Sequence, residues 1–316
     1  MSAALIKRAL QLVALSAIGI LVLITVFILR EGAPVIGRIG VGALLFGGEW
    51  RPLAGQFGLW PMIVGSTAVT LGALALGVPL SLACAVVLAE VAPPRLRAVL
   101  KPMIEIFGGI PSVVYGFVGV VLLVPWIRDH LGGPGSSVLA AAVILGLMTL
   151  PTIIGISVDA LQAVPRAYRE GSRALGATQW QTIRMVVLPA ARSGLVAAVI
   201  LGMGRAIGET MAVIMVAGNS VRVPHSLLDP VRTLTANIAL EMGYAAGDHA
   251  RALFATAIVL FVIIMGLNGL ASLARRRPRR RSFGRLPLAQ RLRLALRRPA
   301  SPRPLPPTDD PARRLP

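Results

Sequence analysis

The sequence predicts an all-α fold in which six helices cross a membrane. Of the 316 residues, 55% are hydrophobic and only 14% are charged, whereas a soluble domain usually carries about a quarter charged residues. A bilayer core of about 30 Å needs roughly 20 apolar residues in a helix. Several stretches reach that length without a single Asp, Glu, Lys or Arg: residues 9–29, 52–89, 106–125, 131–158 and 252–274.

These stretches and one further apolar segment define the predicted spans. The first stretch is longer than a typical signal-peptide core of about 7–15 residues, and no A-x-A-like cleavage site follows it, so it is interpreted as a retained helix. Pro79, Pro111 and Pro151 lie within spans or near their ends, where each can break or kink its helix. The six spans are approximately 10–29, 62–89, 104–126, 137–159, 193–217 and 251–273.

The net charge of +19 is not distributed as in a nucleic-acid-binding protein, and no nucleic-acid partner is expected. Residues 275–316 hold 14 Arg and 2 Asp, and most other basic residues flank alternate spans. Because cytoplasmic loops carry an excess of Lys and Arg, this bias places both termini in the cytoplasm. The flanking basic clusters are Lys7 and Arg8, then Arg95, Arg97 and Lys101, then Arg166, Arg169, Arg173, Arg184 and Arg192.

The C-terminal tail and the first outer loop are the two long segments outside the apolar spans. The tail cannot bury a core and is predicted to be disordered. The apolar residues of 288–296 fall on one helical face, so this part either rests on anionic lipid headgroups or is held loosely near the membrane. In the outer loop, Trp50 and Trp60 suit the membrane–water interface, and a docking surface for an external partner is the alternative.

The segment between the fourth and fifth spans carries the most informative motif. Pro165 suits a helix start, and Glu170 lies early in the helix that follows, where a negative charge suits the positive end. Gly176 permits a sharp turn or close contact with a partner, and Pro189 suits the start of the next helix. The motif reads Glu170-Gly171-Ser172-Arg173-Ala174-Leu175-Gly176, then nine residues, then Val186-Val187-Leu188-Pro189.

This motif resembles the loop of ABC-importer permeases that reads E-A-A-x-x-x-G, then nine residues, then I-x-L-P. The resemblance implies a short cytoplasmic coupling helix that docks on a separate ATP-hydrolysing subunit. Here Gly171 and Ser172 replace the two alanines and Val186 replaces isoleucine, changes that leave docking intact but can tune which ATPase binds. The implied coupling residues are Glu170, Gly171, Ser172, Gly176, Leu188 and Pro189.

The chain itself lacks the signature of a nucleotide-binding loop. That loop needs Gly-Lys followed by Ser or Thr, and neither of the two lysines, Lys7 and Lys101, follows a glycine. No nucleophile–base constellation is recognisable, and the three histidines lack metal-ligand spacing. We therefore expect a non-enzymatic subunit with no cofactor or metal of its own, and ATP with magnesium on the partner ATPase.

Arg205 and Glu209 are the charges near the middle of a predicted span. Residues four apart share a helix face, and a charge near the bilayer centre costs roughly 2.5–3.5 kcal/mol. The planar fork of arginine matches an oxyanion, and Glu209 would keep it oriented, which indicates an anion pathway. An intrahelical salt bridge that only aids insertion is the alternative. Ser112 and Tyr115, in an interrupted part of the third span, either line this path or pack between helices.

Two blocks, Gly204–Val213 and Ile110–Phe117, resemble PstC-type permeases of bacterial phosphate importers. The resemblance covers about residues 10–273 and implies a type I ABC-importer (MetI-like) fold in the bacterial cytoplasmic (inner) membrane. It implies phosphate as cargo, a PstA-like second permease, a PstB-like ATPase dimer and a PstS-like external binding protein. Arg205 and Glu209 correspond to charged residues that the family uses in phosphate passage.

These observations divide the chain into four regions and leave rival functions open. One rival is a permease for another oxyanion, such as sulfate, molybdate or phosphonate. A secondary transporter would leave the motif spacing unexplained, and an intramembrane enzyme lacks a catalytic constellation. The regions are an N-terminal segment with the first helix (1–30), an external loop (31–61), a permease core of five helices with the coupling loop 161–192 (62–273), and an Arg/Pro-rich tail (274–316).

Overall fold

The computed structural model describes residues 3–275, which form a helical bundle with one short hairpin. A 3₁₀ turn spans Pro52–Ala54, and π-helical turns span Val87–Val91, Gly119–Leu123 and Ile183–Val187. The other elements, in chain order, are α1 (Ala3–Ile39), α2 (Val41–Phe46), β1 (Trp50–Arg51), β2 (Gln56–Phe57), α3 (Trp60–Val86), α4 (Pro94–Gly109), α5 (Ser112–Val118), α6 (Val124–Leu131), α7 (Val138–Gln162), α8 (Arg166–Ala174), α9 (Gln179–Thr182), α10 (Leu188–Gly208), α11 (Met211–Val216), α12 (Leu234–Glu241) and α13 (Asp248–Arg275).

The prediction of an all-α protein with six membrane spans is confirmed. Helices α4, α8, α11 and α12 are additional elements that lie between the spans or beside them. The disordered tail was predicted over residues 274–316; residues 274 and 275 belong to α13, and residues 276–316 lie outside the described residues. The stretches long and apolar enough to cross a membrane are Lys7–Ile39, Trp60–Val91, Ser112–Leu131, Val138–Gln162, Gln179–Gly208 and Asp248–Gly269.

The first helix is longer than predicted, because it continues through residues 31–39 of the predicted external loop. This extra length packs against α13. Val35 is buried, and a Cβ added to Gly32 would lie 2.8 Å from the backbone nitrogen of Ala255. Close helix contact of this kind, which small residues permit in lipid, accompanies the continuation of the helix past Arg30, where the uncharged stretch ends.

The third span begins later than predicted, at Ser112, because the chain breaks at Ile110 and Pro111. Proline has no N–H to continue a helix, and the residue before it is disfavoured in the α region; Ile110 accordingly adopts ψ 129°. The preceding residues form the separate helix α4. Pro79 and Pro151, in contrast, lie inside the continuous helices α3 and α7.

Helix α7 forms the centre of the bundle and packs against α3 and α10. In its most apolar stretch 56% of the residues are buried, against at most 28% in each of the other five spans. Small residues permit this contact. A Cβ added to Gly77 would lie 3.0 Å from Oγ1 of Thr149, and one added to Gly146 would lie 3.2 Å from the carbonyl oxygen of Ala73.

The hairpin lies between α2 and α3, with Trp50 opposite Phe57 in an antiparallel pair. The prediction that Trp50 anchors the chain at the membrane–water interface is wrong. Its side chain is buried inside the protein, where Nε1 donates a hydrogen bond of 2.8 Å to Oε2 of Glu241. Trp60 begins α3 and is 39% exposed, so only Trp60 retains the exposure that an interfacial anchor requires.

Candidate functional site

The fifth span is interrupted at Glu209, where a continuous helix was predicted. Helix α10 ends at Gly208, Glu209 adopts an extended conformation with ψ 135°, and α11 begins at Met211. The Glu209 carboxylate accepts a hydrogen bond of 3.2 Å from the backbone N–H of Ala212, and its carbonyl oxygen accepts one of 2.9 Å from Oγ1 of Thr235. Both interactions satisfy backbone groups that the interruption leaves without helical partners.

The predicted pairing of Arg205 with Glu209 is therefore wrong, since the carboxylate caps α11. Arg205 lies in the last turn of α10 and is exposed. Within residues 3–275 its guanidinium forms no ion pair or hydrogen bond. A guanidinium without a protein partner at a helix break can hold an oxyanion with its fork of donors.

Tyr115 and Ser112 lie beside a second break, between α4 and α5. The Tyr115 hydroxyl donates a hydrogen bond of 2.8 Å to the carbonyl oxygen of Phe107, near the end of α4. Ser112 begins α5 and is half-buried. Helices α5 and α11 pack closely, because a Cβ added to Gly116 would lie 3.0 Å from Cα of Ala212. The structure thus packs together the two helices that follow the breaks, α5 and α11.

A buried polar network in the segment after α11 was missed by the sequence analysis. Arg232 donates a 2.6 Å bond to Oε1 of Glu241, whose Oε2 lies 2.8 Å from Nε2 of His249 and also accepts the Trp50 bond. The same short helix, α12, presents Thr235 to the break at Glu209. Trp50 is 191 residues from Glu241, whereas Arg232 and His249 are nine and eight residues from it, and none of these spacings is a helical contact pattern.

The predicted coupling motif forms a helix followed by a tight turn. Helix α8 spans Arg166–Ala174 and begins directly after Pro165. Gly176 adopts φ +83°, a conformation that favours glycine, so the predicted turn is confirmed. Glu170 and Gly171 are exposed, whereas Ser172 is half-buried.

Pro189 lies at the start of α10, which begins at Leu188, as predicted, but the membrane span itself begins earlier. The fifth span begins ten residues before Pro189, at Gln179, where Thr178 and Gln181 form a capping box. A π-helical turn over Ile183–Val187 precedes Leu188. Proline lacks an N–H, and the wider turn lets the helix continue through it.

A groove of about 690 Å³ lies between α8 and the start of the fifth span. Its wall includes Tyr168, Gly171, Leu175 and Met185. Leu175 is 90% exposed and Met185 is 71% exposed. Exposed apolar side chains beside a groove are typical of a protein interaction site. In the part of the chain that the structure describes, no three His, Cys, Asp or Glu side chains are grouped to hold a metal ion.

A family model matches residues 77–280, and its description is "Binding-protein-dependent transport system inner membrane component". The chain is 45% identical over 236 residues to the "Probable ABC transporter permease protein YqgH" of Bacillus subtilis (strain 168), covering 73% of this chain and 76% of that protein. It is 35% identical over 280 residues to the "Phosphate transport system permease protein PstC" of Haemophilus influenzae (strain ATCC 51907 / DSM 11121 / KW20 / Rd), covering 82% and 88%. It is also 37% identical over 245 residues to PstC of Xylella fastidiosa (strain 9a5c), covering 71% and 76%.

Solved structures share the fold. An inward-facing form of the MetNI methionine ABC transporter matches with a TM-score of 0.55 at 22% identity, over 72% of this chain and 98% of that one. A bacterial ABC transporter for the import of alginate matches with a TM-score of 0.57 at 15% identity, over 86% and 98%.

Proposed function

The chain belongs to the family of binding-protein-dependent transport system inner membrane components, and we propose that it is the permease subunit of an ATP-driven importer of inorganic phosphate. Its six apolar spans make it a multi-pass membrane protein. Relatives named as phosphate permeases, at 35–37% identity over most of their length, support phosphate as the cargo.

The observation that carries the phosphate proposal is the unpaired guanidinium of Arg205 at a helix break. The parallel N–H donors of arginine match two oxygens of a tetrahedral oxyanion. Tyr115, Ser112 and Glu209, which lie beside the two helix breaks, complete the proposed pathway. The nearby carboxylate of Glu209 opposes anion binding, which keeps binding weak enough for release.

The groove beside α8 supports the proposed link to ATP hydrolysis. Its exposed apolar side chains, Leu175 and Met185, would be covered by a cytoplasmic ATPase dimer that holds ATP and magnesium. In this proposal the chain itself is non-catalytic and receives mechanical work through its coupling residues. These are Glu170, Gly171, Ser172, Gly176, Leu188 and Pro189.

The remaining proposed partners follow from the same assignment. A second, homologous permease completes the pore, and an external phosphate-binding protein delivers the anion. The coupling segment and both termini face the cytoplasm, in agreement with the basic residues beside α8. The hairpin directly precedes α3, at the opposite end of the second span from Val91, and therefore faces outward in this proposal.

The test is uptake of labelled phosphate by the assembled complex in proteoliposomes. We expect uptake to require both the ATPase subunit and ATP inside the vesicles. Unlabelled sulfate, molybdate or phosphonate should not suppress this uptake. Uptake driven by an ion gradient without the ATPase would establish a secondary transporter instead. Suppression by another oxyanion at lower concentration than phosphate would reassign the cargo.

A further inference from the structure

Arg169 is the residue through which the coupling helix contacts two spans at once. It lies in α8, one position before Glu170, and only 18% of its side chain is exposed. The other basic residues of this helix, Arg166 and Arg173, are exposed. Arg169 therefore differs from Arg166 and Arg173 in its burial, a difference that the sequence alone does not indicate.

The first contact joins α8 to the end of the second span. Nε and Nη2 of Arg169 donate to Oε2 and Oε1 of Glu90, at 3.1 and 2.6 Å. Glu90 lies in the π-helical turn that follows α3, and its side chain is only 8% exposed. Two parallel donors to one carboxylate fix direction as well as distance. This hydrogen bond from Arg169 to Glu90 raises the pKa of the guanidinium.

The second contact joins α8 to the end of the fourth span. Nη1 of Arg169 donates to the carbonyl oxygen of Val164 at 2.6 Å, and Nη2 donates to that of Leu161 at 2.8 Å. The last carbonyl groups of a helix have no partner within it, so the guanidinium closes the end of α7. One side chain thereby connects α3, α7 and α8.

Further hydrogen bonds hold the same turn of the second span. Nε2 of Gln179 donates to the carbonyl oxygen of Glu90 at 2.9 Å, so the start of the fifth span is attached as well. Arg97 of α4 donates to the carbonyl oxygens of Leu88 and Ala89 at 2.7 and 2.8 Å. The end of the second span is thus fixed from three sides.

We propose that Arg169 and Glu90 form a rigid joint that transmits displacement of α8 to the second and fourth spans. The proposal rests on the proposed function, in which an ATPase moves α8. Arg169 is then a positioning residue for transport and touches neither phosphate nor ATP. Its four hydrogen bonds and its burial distinguish it from the nearby pair of Lys101 and Asp159, which lies 3.6 Å apart at the surface, with side chains 46% and 69% exposed.

The first test is Arg169→Lys in the full complex, with phosphate uptake and ATP hydrolysis measured on the same proteoliposomes. Lysine keeps the charge but lacks the planar fork. We expect phosphate imported per ATP hydrolysed to fall about tenfold, the factor that corresponds to one lost charge-assisted hydrogen bond, while the ATPase subunit still co-purifies. The exposed control, Asp159→Asn, should leave the ratio unchanged.

An unchanged import-to-hydrolysis ratio in Arg169→Lys would overturn the joint. A purely structural role would lower the yield of complex and leave that ratio intact, which also contradicts the proposal. The wild-type complex is measured in parallel. Failure of the wild type to import phosphate contradicts the proposed function, whereas failure of the variant to uncouple contradicts only the joint.

A second test restores the joint covalently. The chain contains one cysteine, Cys84, so Cys84→Ala provides a cysteine-free background for Glu90→Cys with Arg169→Cys. We expect this double variant to hydrolyse ATP without importing phosphate, and a bifunctional maleimide of matching length to restore import. A cross-linked complex that still hydrolyses ATP without import would show that the contact is not a rigid transmitter.

Discussion

Arginines at the two ends of the bundle are buried in ion pairs, whereas the arginine at the break of the fifth span is exposed. At the two ends, Arg169 and Arg232 each donate a 2.6 Å bond to a buried glutamate, with only 18% and 17% of the arginine side chain exposed. At the break between α10 and α11, Arg205 is exposed and forms no ion pair within residues 3–275. The paired arginines connect secondary structure elements, whereas the unpaired one leaves its donors available to an anion. We therefore expect the two buried arginines to fix the packing, and Arg205 to serve the proposed anion pathway.

The largest expected effect comes from removing the unpaired arginine. Arg205→Ala should reduce phosphate uptake about a hundredfold, since two charge-assisted hydrogen bonds to the anion are lost, and assembly should be unaffected because no protein partner loses a bond. Labelled phosphate uptake and co-purification of the ATPase measure the two properties. Arg222→Ala, on the exposed segment after α11, is the matched control. Normal uptake in Arg205→Ala would show that this exposed arginine does not bind the transported anion.

Removing a paired partner should act on stability instead. Glu241→Gln leaves the mostly buried charge of Arg232 without its counterion, a change that costs about 3–5 kcal/mol in buried pairs. We expect a lower melting temperature of the purified protein and a lower yield. The exposed pair of Glu49 and Arg51, 3.5 Å apart, supplies the control: Glu49→Gln should change the melting temperature little. If the two substitutions lowered the melting temperature equally, burial would not determine how much an ion pair contributes to stability.

The contact between the outer segment and the helix break should give an intermediate effect. Thr235→Val removes the hydroxyl that donates to the carbonyl oxygen of Glu209, and an unsatisfied polar group of this kind costs about 1–3 kcal/mol. We expect phosphate uptake to fall more than stability, because the break changes shape next to Arg205. Thr67→Val is the control, since that hydroxyl bonds only to its own helix, at Ile63. A loss of stability without any change in phosphate uptake would show that Thr235 does not influence the proposed anion pathway.

Sequence reasoning succeeded where local chemistry determines the structure. Long uncharged stretches predicted the spans, Pro111 predicted a possible break, and the glycine at 176 predicted a turn. It failed at Glu209, because a spacing of four is typical of a continuous helix and nothing local shows that the carboxylate caps α11. It also missed the two buried pairs. Glu90 and Arg169 are 79 residues apart, so their contact depends on how the spans pack. Arg232 and Glu241 are nine apart, which is not one of the spacings at which residues share a helix face.

The smallest expected effect tests the coupling turn, where backbone conformation alone matters. A Cβ added to Gly176 would have no neighbour within 4 Å, but its φ of +83° is unfavourable for any residue with a Cβ, by about 1–2 kcal/mol. Gly176→Ala should therefore reorient the end of α8 and reduce co-purification of the ATPase severalfold without lowering the melting temperature of the spans. Gly19→Ala, which also has no neighbour within 4 Å but lies inside α1, should leave co-purification at the wild-type level. Wild-type co-purification in Gly176→Ala would mean that the ATPase does not recognise the turn, and the groove wall formed by Leu175 and Met185 would then be the part of this end that binds it.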